Sequence, residues 1–176
     1  MVIAVQIRRM YRYPFENVVD THLNKYPTPL EKHITDVKII EEKTDASTGV
    51  VYRRSLATCS NVIPLFLRRF QDLKVNCIHL EEESWLDMRQ RIMNVKSRCV
   101  SWTHYATLRE ESVFKASVEN PNWTEFAQHG KVSVTGVGPF NGVLELFAQT
   151  FLNRVVKQSV NIMETILREK CGCPFA

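Results

Sequence analysis

Apolar and polar residues alternate along most of the chain, and near its end the pattern changes to helical spacing. At the start, Ile3, Val5, Ile7 and Arg9 oppose Val2, Ala4, Gln6 and Arg8. One face is mainly apolar, which predicts a folded first strand rather than a cleaved leader, although three arginines precede the first acidic residue, Glu16. In "YPFENVVDTHLNKY", Pro14 suits a first helical turn, Glu16 lies within it, and Val18, Val19, His22 and Leu23 share a face. This short helix must end at the elbow "NKYPTPLEKHI", because Pro27 and Pro29 fix φ, remove two donors and push their predecessors to extended geometry. "HITDVKIIEEKTD" and "VVYRRSLATCS", joined through the polar turn "DASTG", predict a hairpin. Four more β-prone runs, "KVNCIHLEEESWL", "RIMNVKSRCVSW", "YATLREESVFKAS" and "WTEFAQHGKVSVTG", bring the total to about seven, mostly antiparallel because the connections are short.

The last segment differs. From Val143 to Lys170 the spacing is helical, with Leu144, Phe147, Phe151, Val155, Ile162 and Ile166 near one face. Asn141 suits the N-cap, Arg168 and Lys170 the last turn, and Gly172 and Pro174 the stop. Such a helix is roughly 40 Å long, enough to span the sheet. The pattern therefore predicts an α+β fold, a curved antiparallel sheet gripped by one long C-terminal helix. Periodicity leaves two interiors open, a solid core or a long apolar cavity, because a helix-facing Phe looks the same against protein and against a lipid chain.

One connection departs from the usual polar turn. "NVIPLFLRRF" gathers Val62, Ile63, Leu65, Phe66 and Leu67 around Pro64 and closes with Arg68 and Arg69. Two readings suit it: a lid that dips into a bilayer with its arginines on lipid phosphates, or a piece docked permanently on the sheet.

Composition narrows the classes. A chain of 176 residues with 44% apolar content suits one domain over residues 1–176. A balance of 23 basic against 19 acidic residues is too mild for a nucleic-acid binder. Membrane contact is expected to be peripheral, since no run approaches the roughly 18 apolar residues of a span. The 5 cysteines show no paired zinc spacing; Cys171 and Cys173 suit a metal or redox pair, or simply two small residues at a helix end. No cofactor and no metal site are expected. Nor is catalysis: nucleophile elbow, phosphate-binding glycine loop and HExxH are missing, and Glu81, Glu82 and Glu83 suit a solvated edge, with at most Glu81 and Glu83 on one face.

Taken in order, the first strand and helix, "KYPTPLEKHI", "RRSLATCSNVIP", "NPNWTEF" and the long final helix resemble the PRELI family over essentially the whole chain. That resemblance implies a helix-grip fold, similar to START and phosphatidylinositol-transfer domains, that carries one phospholipid across the mitochondrial intermembrane space. It also implies a partner, a small helical protein with twin Cys-x9-Cys motifs supplied as a separate chain. A cytosolic location is the alternative. Lys25 and His33 occupy the family's cation and histidine positions at the elbow, which implies that both meet the headgroup. Aligned on Pro64 and Thr150, the other cation and amide positions of the phosphatidic-acid carriers hold Cys59, Phe151, Val155 and Gln158. A phosphomonoester needs several charge-assisted donors, so phosphatidic-acid specificity is not inherited by analogy. A lipid-dependent regulatory module without efficient transfer is the second reading.

Overall fold

The computed structural model describes residues 2–176, with all side chains except those of residues 71 and 72. Among the described residues the regular elements are β1 (Val2–Tyr11), α1 (Phe15–Asn24), β2 (Ile34–Thr44), β3 (Val51–Ser60), β4 (Cys77–Asp87), β5 (Ile92–Cys99), β6 (Ala106–Ala116), β7 (Thr124–Val134) and α2 (Asn141–Cys171). The strands form one antiparallel sheet in the order β1-β7-β6-β5-β4-β3-β2. Shorter turns join β2 to β3 and β4 through β7 in succession, the longer connection over residues 61–76 joins β3 to its neighbour β4, and β1 and β2 lie on opposite edges. The chain must therefore cross the sheet between them, and α1 with the proline elbow makes that crossing, through a cis Tyr26–Pro27 bond.

Alternation decides which side chains α1 and α2 cover. Register pairs Leu86 with Met93, Met93 with Phe114, Phe114 with Phe126 and Phe126 with Arg9, so these side chains share the inner face. Met93 and Phe114 pack in one cluster with Tyr11, Phe15, Val18, Met163 and Leu167. A second cluster joins Ile3, Val132 and Val134 to Leu144 and Leu152 of α2 and to Ile63, Leu67 and Leu73 of the connection after β3. Each such side chain contributes on the order of 2–5 kcal/mol against truncation to alanine.

Two details of α2 differ from expectation. Its buried stripe runs through Leu144, Leu152, Val156, Val160, Met163 and Leu167, whereas Phe147, Phe151, Val155 and Ile166 are only half-buried. Phe147 and Phe151 stack at 5.7 Å on the flank of that stripe, where both line open space and Phe147 also packs against the second cluster. Asn141 does not cap: it is the first helical residue, and its Oδ1 accepts from the Val137 N–H at 3.1 Å. At the other end Gly172, at φ 78°, donates to Arg168 O at 2.9 Å. Cys171 accepts from Asn17 at 3.1 Å, and Cys173 is exposed.

The connection after β3 is partly anchored. Ile63 and Leu67 are buried, whereas Leu65 is 79% and Phe66 53% exposed. Asn61 closes its base: Nδ2 donates to Leu73 O at 2.8 Å and Val75 O at 2.7 Å, and Oδ1 accepts from Ile63 N at 2.9 Å. Arg68 donates to Ile63 O at 2.8 Å and Asn61 O at 2.7 Å. That cation braces the loop from inside, contrary to the expectation that it points at lipid phosphates; the exposed tip has already spent it. Arg69 is exposed and lies 4.8 Å over the Phe140 ring.

Candidate functional site

A cavity of about 310 Å³ opens between the inner face of the sheet, α1, the elbow, the Asn61–Phe70 connection and α2. Most of its wall is apolar, from Ile63, Leu73, Leu80, Leu108, Val132, Leu144, Phe147 and Phe151 among others.

Through the middle of this face runs a polar band, written by register. Ser55 pairs with Glu82, Glu82 with Ser97, and Ser97 with Glu110. In the adjacent row, Ser84 and Ser112 flank Val95, and Ser112 pairs with Gln128. The solid cluster of Met93, Phe114 and Phe126 borders the band on one side, and Leu80, Cys99, Leu108 and Val132 border it on the other.

Above the band, α1 and the elbow add a hydrogen-bonded chain. Lys25 Nζ lies 2.8 Å from His22 Nδ1, and His22 Nε2 lies 3.2 Å from Glu82 Oε1. The pattern is met when Lys25 donates to Nδ1 and the ring donates its Nε2–H to the carboxylate. Burial, reinforced by the Lys25 charge, lowers the His22 pKa against the opposing pull of Glu82. Burial also lowers Lys25, against the opposing pull of Glu82 and Glu110. At Glu82 burial pushes up, but the charge interaction and hydrogen bond with His22, together with the Lys25 ammonium, outweigh it and hold the carboxyl below its usual range. Glu110 is raised by burial and then by the Glu82 charge. Its Oε2 accepts from Gln128 Nε2 at 3.2 Å.

All six residues implied as headgroup contacts, Lys25, His33, Cys59, Phe151, Val155 and Gln158, line the cavity, but they do not converge as a set. Lys25 turns inward to His22. His33 is exposed, with Nδ1 on Ser60 Oγ at 3.0 Å and its backbone N–H on Glu31 Oε1 at 2.9 Å. Cys59 is buried, and burial lifts its thiol to about 11. Gln158 Nε2 reaches Leu30 O at 3.4 Å. Of the loop residues, Val62 and Ile63 line the cavity, Leu67 is core, and Leu65 and Phe66 face outward. Lys157 is exposed.

The polar residues that do converge were missed, and the solvated-edge reading of Glu82 is corrected. Glu81 and Glu83 face outward together, Glu81 to Arg54 and Arg98 and Glu83 to Tyr52. Glu82 faces in, because it shares phase with Ile78, Leu80 and Leu86. Glu110 likewise shares phase with Leu108 and Phe114. A carboxylate in the apolar phase of a strand is the signal that was available.

The fold is that of START-like proteins. A START superfamily protein from Mycobacterium smegmatis superposes with a TM-score of 0.58 at 9% identity, covering 94% of this chain and 97% of that one. In sequence, the chain is 25% identical over 162 residues to "PRELI domain-containing protein 1, mitochondrial" of Gallus gallus, covering 92% of this chain and 75% of that protein. It is 26% identical over 133 residues to "Protein slowmo homolog" of Dictyostelium discoideum, covering 74% of this chain and 58% of that one. Since the PRELI-like family pattern matches residues 16–172, which include α1, the elbow, β2 to β7 and α2, the chain belongs to the PRELI-like family.

Proposed function

We propose that this protein is a non-enzymatic phospholipid carrier that takes one lipid between the sheet and α2 and moves it between mitochondrial membranes across the intermembrane space. The observation that carries this reading is the cavity itself: a largely apolar wall suited to acyl chains, interrupted by one polar band suited to a headgroup. Family membership supports it, and the mitochondrial designation of the chicken relative supports the compartment. Exposed Leu65 and Phe66 support transient contact with a bilayer. No bond is made or broken in this reading, and His22, Lys25 and Glu82 hydrogen-bond one another without presenting a nucleophile. A small helical partner with twin Cys-x9-Cys motifs belongs to the same proposal.

One observation favours a second reading. Cys59, Phe151 and Val155 supply no cation to the cavity, which suits a lipid-dependent regulatory module that binds without efficient transfer. Turnover separates the two. Purified protein is mixed with donor and acceptor vesicles of several headgroups, with and without the partner. Catalytic movement of many lipids per protein supports the carrier; capture of one lipid without onward delivery supports the module.

A further inference from the structure

The polar band does not match a phosphate on its own. Two carboxylates, Glu82 and Glu110, face the cavity across Ser97, and Lys25 is the ammonium held beside them. Glu82 already balances that ammonium through the His22 bridge. Glu110 spends Oε2 on the Gln128 amide, and among the described residues its Oε1 has no hydrogen bond. Of the other charged groups lining the cavity, Arg98 turns to Glu81 on the outer face, Glu31 accepts from the His33 backbone, and Arg154 is exposed on α2. Placing an acceptor-only group in an apolar cavity is costly unless a cation or donor arrives to meet it.

We propose that this band receives the primary ammonium of a zwitterionic phospholipid headgroup of the phosphoethanolamine type, with Glu110 and Glu82 as acceptors and Lys25 on the phosphate. The proposal rests on the carrier reading above and names its cargo. Lys25 has three N–H donors and uses one on His22, which leaves two for phosphate oxygens. The ammonium brings three donors to Glu110 Oε1, Glu82 and Ser97. A choline headgroup carries the same charge but has no N–H to donate. A serine headgroup adds a carboxylate that would face Glu82 and Glu110. Phosphatidic acid adds negative charge and supplies no cation.

The test is a headgroup series on one pair of acyl chains. Vesicles containing dioleoyl phosphatidylethanolamine, its N-methyl and N,N-dimethyl forms, dioleoyl phosphatidylcholine, the serine lipid or phosphatidic acid are incubated with the protein. Captured lipid is then counted by native mass spectrometry. The wild type should prefer ethanolamine over choline by about tenfold or more, falling with each methyl, because each removes a charge-assisted donor. Glu110→Gln should flatten the series, with folding checked by its melting curve. Equal capture of ethanolamine and choline lipids by the wild type overturns the proposal while leaving the carrier reading standing. So does a Glu110→Gln variant that is folded and keeps the full preference. Failure to capture any lipid overturns both.

Discussion

The loop tip offers a direct separation of membrane contact from folding. Full burial of a Leu or Phe side chain contributes about 1.5–3 kcal/mol. With Leu65 79% and Phe66 53% exposed, insertion of both into a bilayer would gain roughly 1.2–2.4 and 0.8–1.6 kcal/mol. Together that is about 2–4 kcal/mol, or roughly 30- to 900-fold in partitioning. Leu65→Asp with Phe66→Asp should therefore lower co-sedimentation with anionic vesicles by at least about 30-fold, and lower lipid transfer with it. The melting midpoint should move by less than about 2 °C, since neither side chain is part of the core. Leu67→Ala is the converse perturbation. Leu67 is fully buried two positions after Leu65, so its truncation should cost about 2–5 kcal/mol and lower the midpoint by several degrees. Unchanged vesicle binding by the aspartate variant would refute the membrane role of the tip. A large fall in its melting midpoint would show instead that the tip belongs to the core.

Three further outcomes follow from the cavity. Because Glu110 has a folded pKa raised above its unfolded value, the stability held by its protonated form is complete below the unfolded carboxyl pKa and lost as pH rises through the folded one. Glu110→Gln should then melt higher than wild type at pH 7.5, with the gap closing toward pH 4, as thermal melts across that range would show. Lys25→Met removes a charge that depresses His22, so the imidazole pKa should rise, read by NMR titration of the ring protons. Wild type should transfer phosphatidic acid poorly, and the combination Cys59→Lys, Phe151→Arg, Val155→Asn and Gln158→Lys should gain it in vesicle assays once shown to be folded; equal transfer by the two would remove the argument from lost cations.

Much of the architecture was legible because strand phase and helix spacing are local. Seven strands, the short first helix and the long last one all follow from alternation and from spacing between neighbours. The cavity was not, since it depends on which half-buried residues of α2 lack a partner. Phe147 and Phe151 look like core in sequence and border open space in the fold. Lys25 shows the same limit at the site: the elbow's stiffness is written in Pro27 and Pro29, but its approach to Glu82 joins residues far apart in the chain. Glu82 and Glu110 were within reach of the sequence, each being the carboxylate in an otherwise inward-facing phase. The anchoring of the loop was also partly written, in the four-residue spacing of Ile63 and Leu67 that leaves Leu65 and Phe66 on the other side.

The Asn61 clamp has a mechanical corollary. A segment whose base is tied by one amide to Leu73, Val75 and Ile63 has little freedom to unravel, so in the proposed carrier it would open as a flap of fixed shape on a narrow neck. The barrier to that opening would be the parting of Ile63, Leu67 and Leu73 from Val132, Leu144 and Leu152, an apolar seam that no backbone hydrogen bond crosses among the described residues. Passage past the flap would be governed by the width of that seam, so a smaller side chain at Leu73 would hasten exchange of the cargo, while cutting the tie at Asn61 would turn a hinged flap into slack chain.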